Sequence, residues 1–179
     1  MTATQGSFPL TGTGKLPNVT VAFPGEHWSN RTASGSITPG EAVVPAASGG
    51  KLVVRTANAS DPITQLAIAL RPVDVPDPNT GPSALGPNEI RNQVIAQGSY
   101  VHCYYSGAFV LTLVDPNRTY NPGDRIGWDA DGARPSGKSG SGSWAPNANA
   151  DIDDVFEVME VRTVGSDKIL NVRSFRGQF

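Results

Sequence analysis

The chain is short of the residues from which active centres are usually built. It has one cysteine, Cys103, and two histidines, His27 and His102, among 179 residues. A single cysteine excludes an intrachain disulfide. Two histidines and one cysteine leave no standard zinc spacing. Adjacent strand residues face opposite sides, so His102 and Cys103 are not expected to form a nucleophile–base pair. Charge is also scarce. Lys and Arg number 14, Asp and Glu 16, and the formal net charge is −2. No five-residue window is basic, which argues against a duplex-binding role. No apolar run approaches the ~20 residues of a membrane span. Met1 to Gly14 carries neither a basic stretch nor an apolar run, so no signal peptide is expected there.

Turn formers are abundant instead. The chain has 20 glycines and 15 prolines. That is too much punctuation for a helical bundle, and its lack of period excludes collagen. Asn-x-Ser/Thr triplets at Asn18, Asn30, Asn58 and Asn117 are read as chance in a chain rich in Asn, Ser and Thr.

Residues 1–17 read as an extended arm, with Phe8 and Leu10 as its apolar anchors. Asn18 to Phe23 suits a first strand. Pro24 to Ser36 reads as a polar loop carrying Trp28. Strands are expected at 42–44, 51–56 and 64–71, the last with Leu66, Ile68 and Leu70 on one face. Five prolines between Pro72 and Pro87 make residues 72–89 a long loop. A short helix could follow, with Ile90 and Val94 four residues apart. Residues 99–106 and 108–114 are the best strands, joined near Gly107, with Phe109, Leu111 and Leu113 on one side. Residues 133–150 read as a second long loop, around Trp144. A hairpin across Gly165-Ser166-Asp167 closes the chain. The fold class is all-β: a barrel or sandwich of about eight to ten short strands, with residues 18–179 as one β-rich domain.

An internal echo runs through this pattern. Thr38-Pro39-Gly40-Glu41-Ala42-Val43 parallels Asn121-Pro122-Gly123-Asp124-Arg125-Ile126. Each has the Pro-Gly centre of a type II turn, a carboxylate, and a strand. Asp61-Pro62-Ile63 before residues 64–71 parallels residues 151–154 before 155–162. Two unrelated turns would give the same pattern.

Three motifs invite chemistry. Gly132 to Ser139 fits the phosphate-cradling pattern G-x-x-x-x-G-K-[ST]. That chemistry needs the loop to open a helix, and Gly140-Ser141-Gly142-Ser143 cannot propagate one, so no nucleotide site is expected. Asp129 and Asp131, and Asp151, Asp153 and Asp154, form two carboxylate clusters. Each reads as a turn or a solvated strand entry, with weak Ca²⁺ binding as the alternative. Trp28 and Trp144 sit in polar stretches, where each either anchors a partner or folds back over one end of the body.

The strand pattern resembles a known family. Gly40 to Val44, Lys51 to Val54, Gln65 to Leu70, Gly98 to Val101, Gly107 to Leu111 and Pro122 to Gly132 are similar to stretches of the small β-barrel decoration, or cement, proteins of tailed-phage heads. The resemblance covers about residues 37 to 175. The arm and the two long loops depart from it. It implies a non-enzymatic structural protein, made in the host cytoplasm, on the outside of the virion capsid. Its partner would be the major capsid protein, and many relatives are homotrimers. No catalytic residue, metal, cofactor, nucleic acid or membrane is implied. Phe8, Leu10, Trp28 and Trp144 are then the candidate interface residues. A β-sandwich binding glycans or a receptor, and a tail-tube or head-completion protein, are the competing readings.

Overall fold

The computed structural model describes residues 20–24, 27–70 and 94–174, with side chains from Arg31 onward. Phe8, Leu10, the arm and the 72–89 loop lie outside the described residues. The architecture is all-β, as the punctuation and alternation require. One group of strands closes as a five-stranded barrel: β2 (His27–Ala33), β3 (Ala42–Ser48), β4 (Lys51–Thr56), β5 (Ala67–Leu70) and β6 (Tyr100–Tyr104). A six-stranded sheet holds β1 (Thr20–Pro24), β7 (Gly107–Leu111), β8 (Arg125–Asp129), β9 (Ser143–Pro146), β10 (Ile152–Val164) and β11 (Asp167–Ser174).

These two groups are the same structure twice. The barrel order, opened at one seam, is β4-β3-β5-β6-β2. The sheet order is β9-β8-β10-β11-β7, followed by the extra edge strand β1. Strand for strand, β2 to β6 correspond to β7 to β11. Registers agree as well: Ala42 pairs with Ile68 where Arg125 pairs with Glu157. Barrel closure is parallel, Ala33 against Val54, with Ser34 N–H donating to Val54 O at 2.8 Å. Its counterpart is the parallel bridge of Val114 to Trp144, with Asp115 N–H donating to Trp144 O at 3.1 Å. We call β2–β6 the first module and β7–β11 the second.

The echoed turns occupy equivalent places. Glu41 N–H donates to Thr38 O and Asp124 N–H to Asn121 O, both at 3.0 Å. Gly40 and Gly123 have φ of 95° and 91°, the left-handed third position that a type II turn demands. Each turn then docks on the fourth strand of its module. Gly40 N–H donates to Ala69 O, and Gly123 N–H to Val158 O, both at 2.7 Å.

Period two decides what each strand buries. Val43, Val54, Ala67, Ala69, Val101 and Cys103 fill the first barrel. A five-stranded barrel has a narrow bore, which small side chains suit. Ala42, Val44, Leu66 and Ile68 alternate with them and join a second, larger core. The face expected from Leu66, Ile68 and Leu70 therefore exists, and it packs against the second module. Counterparts inside that module are bulkier: Ile126 for Val43, Trp144 for Val54, Phe156 for Ala67, Val158 for Ala69. Edge-to-face contacts join Trp144 to Trp128 and Phe156, with centroids 5.2 and 5.0 Å apart.

Two loop expectations are corrected. Residues 27–33 are strand β2, not loop, so the Trp28 backbone lies in the barrel wall opposite Cys103. The 133–150 stretch contains β9, and Trp144 lies on it. Phe109 and Leu111 share a face as expected, but the strand ends at Leu111 and Val114 turns into the same core. The closing hairpin has Val164 paired with Asp167 across Gly165-Ser166.

Candidate interaction surface

The side chains singled out from sequence do not converge on one site. Trp144 is wholly buried. Its indole N–H donates to Gly40 O of the first module at 2.9 Å. Trp128, also wholly buried, donates to Ala57 O at 3.3 Å. Both rings close the junction between modules. The assignment of Trp144 as a partner-binding residue is thus corrected: its ring is core, and the fold-back alternative holds. A stretch rich in Gly and Ser hid this, because the partners of Trp144 lie far away in sequence.

The phosphate-loop match is likewise structural. Residues 132–142 open no helix; Lys138 N–H closes a turn on Pro135 O at 3.2 Å. Burial, with help from the Arg134 charge, lowers the Lys138 pKa from its ordinary value. Arg134 reaches back across the junction. Its guanidinium pairs with Glu41 and donates to Ser141 O. Thr56 Oγ donates to the other Glu41 oxygen at 2.9 Å. Ser136 N–H donates to the Asp167 carboxylate at 3.0 Å. The segment is a strap over the second module.

Neither carboxylate cluster gathers as a ligand set. Among the described residues no three of His, Cys, Asp and Glu form a metal-binding group. Asp129 accepts from Asp131 N–H at 3.1 Å, and Asp151 from Ala130 N–H at 2.8 Å. Asp129 has its pKa raised, first by burial and then by the charges of Asp151 and Asp115, against the Asp131 hydrogen bond. Asp154 has a positive φ of 52°, at an irregularity of β10. Asn147 holds it there, donating to its carboxylate at 2.9 Å and accepting its N–H at 3.1 Å.

Cys103 sits inside the first barrel, and burial pushes its thiol up to about 12 despite the opposing Arg31 charge. No thiolate nucleophile is available at neutral pH.

What the surface does offer lies on the first module. Leu52 and Tyr100 are 62% and 57% exposed. Both line a cleft of about 730 Å³ bounded by β2, the β3–β4 hairpin and the approach to β6. Arg31 and Lys51 also line it, and among the described residues no acidic one does. Such a cleft can hold an apolar group and a negative charge together. Sequence reading missed Leu52 and Tyr100, because alternation assigns a strand residue to a face without saying which face is covered. Comparison with family models, with curated proteins and with solved structures finds no match to this chain.

Proposed function

We propose that the protein is a structural virion protein. It binds the outer surface of a mature phage capsid and stabilises contacts between major capsid protein subunits, as a homotrimer and without enzymatic activity. The reading starts from the strand-and-turn resemblance over residues 37 to 175. The observation that carries it furthest is the fusion of the barrel and the second, sheet module through one apolar core, crossed by Trp144 to Gly40 and by Arg134 to Glu41. A close-packed junction of this kind transmits load without bending. A brace needs that property, and preorganisation keeps the ordering cost of binding small. Weak contacts suffice for a brace, because many copies share a lattice.

The test is co-sedimentation of the purified protein with mature and immature heads from its own source. Saturable binding to mature heads, at a fixed ratio to the major capsid protein, is expected. No binding to either particle would overturn the reading. A chain lacking residues 1–17 measures the part of the arm. Full occupancy without those residues would remove Phe8 and Leu10 from the interface.

A further inference from the structure

The strap between β8 and β9, residues 130–142, carries two cations whose bonding is incomplete. The Arg134 side chain is only 4% exposed. Its Nε and Nη2 donate to Ser141 O, and Nη2 also pairs with Glu41. Its Nη1 is buried without a partner. A buried donor left unmet is costly, and in a native protein it points to a functional role or to an enclosed water or ion. Lys138 follows four residues later and is half-buried. The Arg134 charge acts on it, and among the described residues no carboxylate pairs with it. The loop turns through Gly137 and Gly140, with φ of 77° and 96°. Gly140 lies close over the guanidinium, where a methyl group would stand 3.5 Å from Arg134 Cζ. Several backbone N–H groups of the strap are already used. Ser136 donates to Asp167, Lys138 to Pro135 O and Gly142 to Gly132 O. Recognition here therefore falls to the two side chains, not to a backbone cradle.

We infer that the strap binds one tetrahedral oxyanion, inorganic phosphate or sulfate, held by the Lys138 ammonium and by the unpaired Nη1 of Arg134. Charge fixes the sign of the ligand. Arg134 and Lys138 are neighbouring cations, and Glu41 is the one carboxylate paired with either among the described residues. A water could accept from Nη1, but it would leave the second charge unopposed. An oxyanion offers several acceptor atoms, so one ion can take charge-assisted bonds from both side chains at once. Nη1 is closed to solvent, so the ion is taken up as the strap settles. Enclosure of that kind favours a free ion over the phosphate of a larger ester. The inference does not rest on the capsid reading.

The experiment is equilibrium dialysis of the intact protein, first freed of anions in chloride buffer, against labelled inorganic phosphate at fixed ionic strength. One phosphate per chain is expected. Lys138→Gln should weaken binding about tenfold or more, and Lys138→Arg should keep it. Glu41→Leu with Arg134→Met removes the guanidinium without stranding its partner, and should weaken binding as much. Thermal melting checks that each variant is folded. Sulfate should compete with phosphate, and glycerol phosphate should not. Equal competition by glycerol phosphate would assign the same site to the phosphate group of an ester. No binding, or binding that Lys138→Gln leaves unchanged, would overturn the proposal.

Discussion

The guanidinium of Arg134 and the carboxylate of Glu41 form an ion pair across the junction of the two modules, with side chains only 4% and 6% exposed. Thr56 donates to the second Glu41 oxygen, and the Ser141 carbonyl accepts from Arg134, whose Nη1 is buried without a partner. Removing one partner strands a buried charge, which costs about 3–5 kcal/mol. Replacing both with apolar groups of similar volume costs far less. Glu41→Ala should therefore be the worse variant, and Glu41→Leu with Arg134→Met should recover most of the loss. Urea unfolding of the singles and the double measures this. Additive losses would mean the pair is not coupled.

Gly127 lies where β10 crosses β8. A methyl group there would stand 1.9 Å from Ile152 O, a backbone atom that cannot step aside. Gly35 has open space and an ordinary φ. Gly127→Ala is expected to destabilise by at least about 3 kcal/mol, or to prevent folding, by overpacking. Gly35→Ala should lie within about 1 kcal/mol of wild type. Paired thermal melts decide it, and equal melting temperatures would contradict the crossing geometry.

Arg55 donates to both carboxylate oxygens of Asp61, each at 2.7 Å. Those bonds lower the Asp61 pKa from its ordinary value, with Asn58 N–H and the Arg55 charge assisting against burial. A depressed carboxyl stabilises the fold above its unfolded pKa, about 3.9. The contribution fades as pH falls through the lower folded value. The Arg55 side chain is 38% exposed, so the pair is worth about 0.5–1 kcal/mol. Asp61→Asn should lose that amount at neutral pH and converge on wild type in acid. A constant difference across pH would exclude the linkage.

Cys103 should resist thiol reagents in the native protein and react only through opening of the first barrel, because it lies inside that barrel with a raised pKa. Ellman titration with and without denaturant tests this. Prompt and complete native labelling would mean that the thiol is not enclosed by the barrel.

Much of the fold is legible in the sequence. Pro39-Gly40 and Pro122-Gly123 announce their turns because only glycine takes that φ cheaply. The Leu66, Ile68 and Leu70 face follows from period two. The duplication shows only as an echo of turns, because the strand residues have diverged in size while keeping register, Ala67 against Phe156 for example. β2 is hidden because His27-Trp28-Ser29-Asn30-Arg31 lacks apolar alternation and owes its pairing to β6 and β4. The site was less legible. Glu41 and Arg134 are 93 positions apart, with no local signal joining them. Exposed Leu52 and buried Trp144 each invert the usual inference from neighbouring residues.

The unequal interiors set an order of opening. The second module encloses Trp128, Trp144, Phe109 and Phe156, a core sufficient for a small domain. The first encloses mainly Ala, Val and Cys, and Ala42, Val44 and Ile68 of its wall are buried in the core it shares with the second. Its amides should therefore exchange at lower free energy than those of β10 and β11. A partner seated on the first module would grip the half that yields first, and would raise the resistance of the whole chain most where it is weakest.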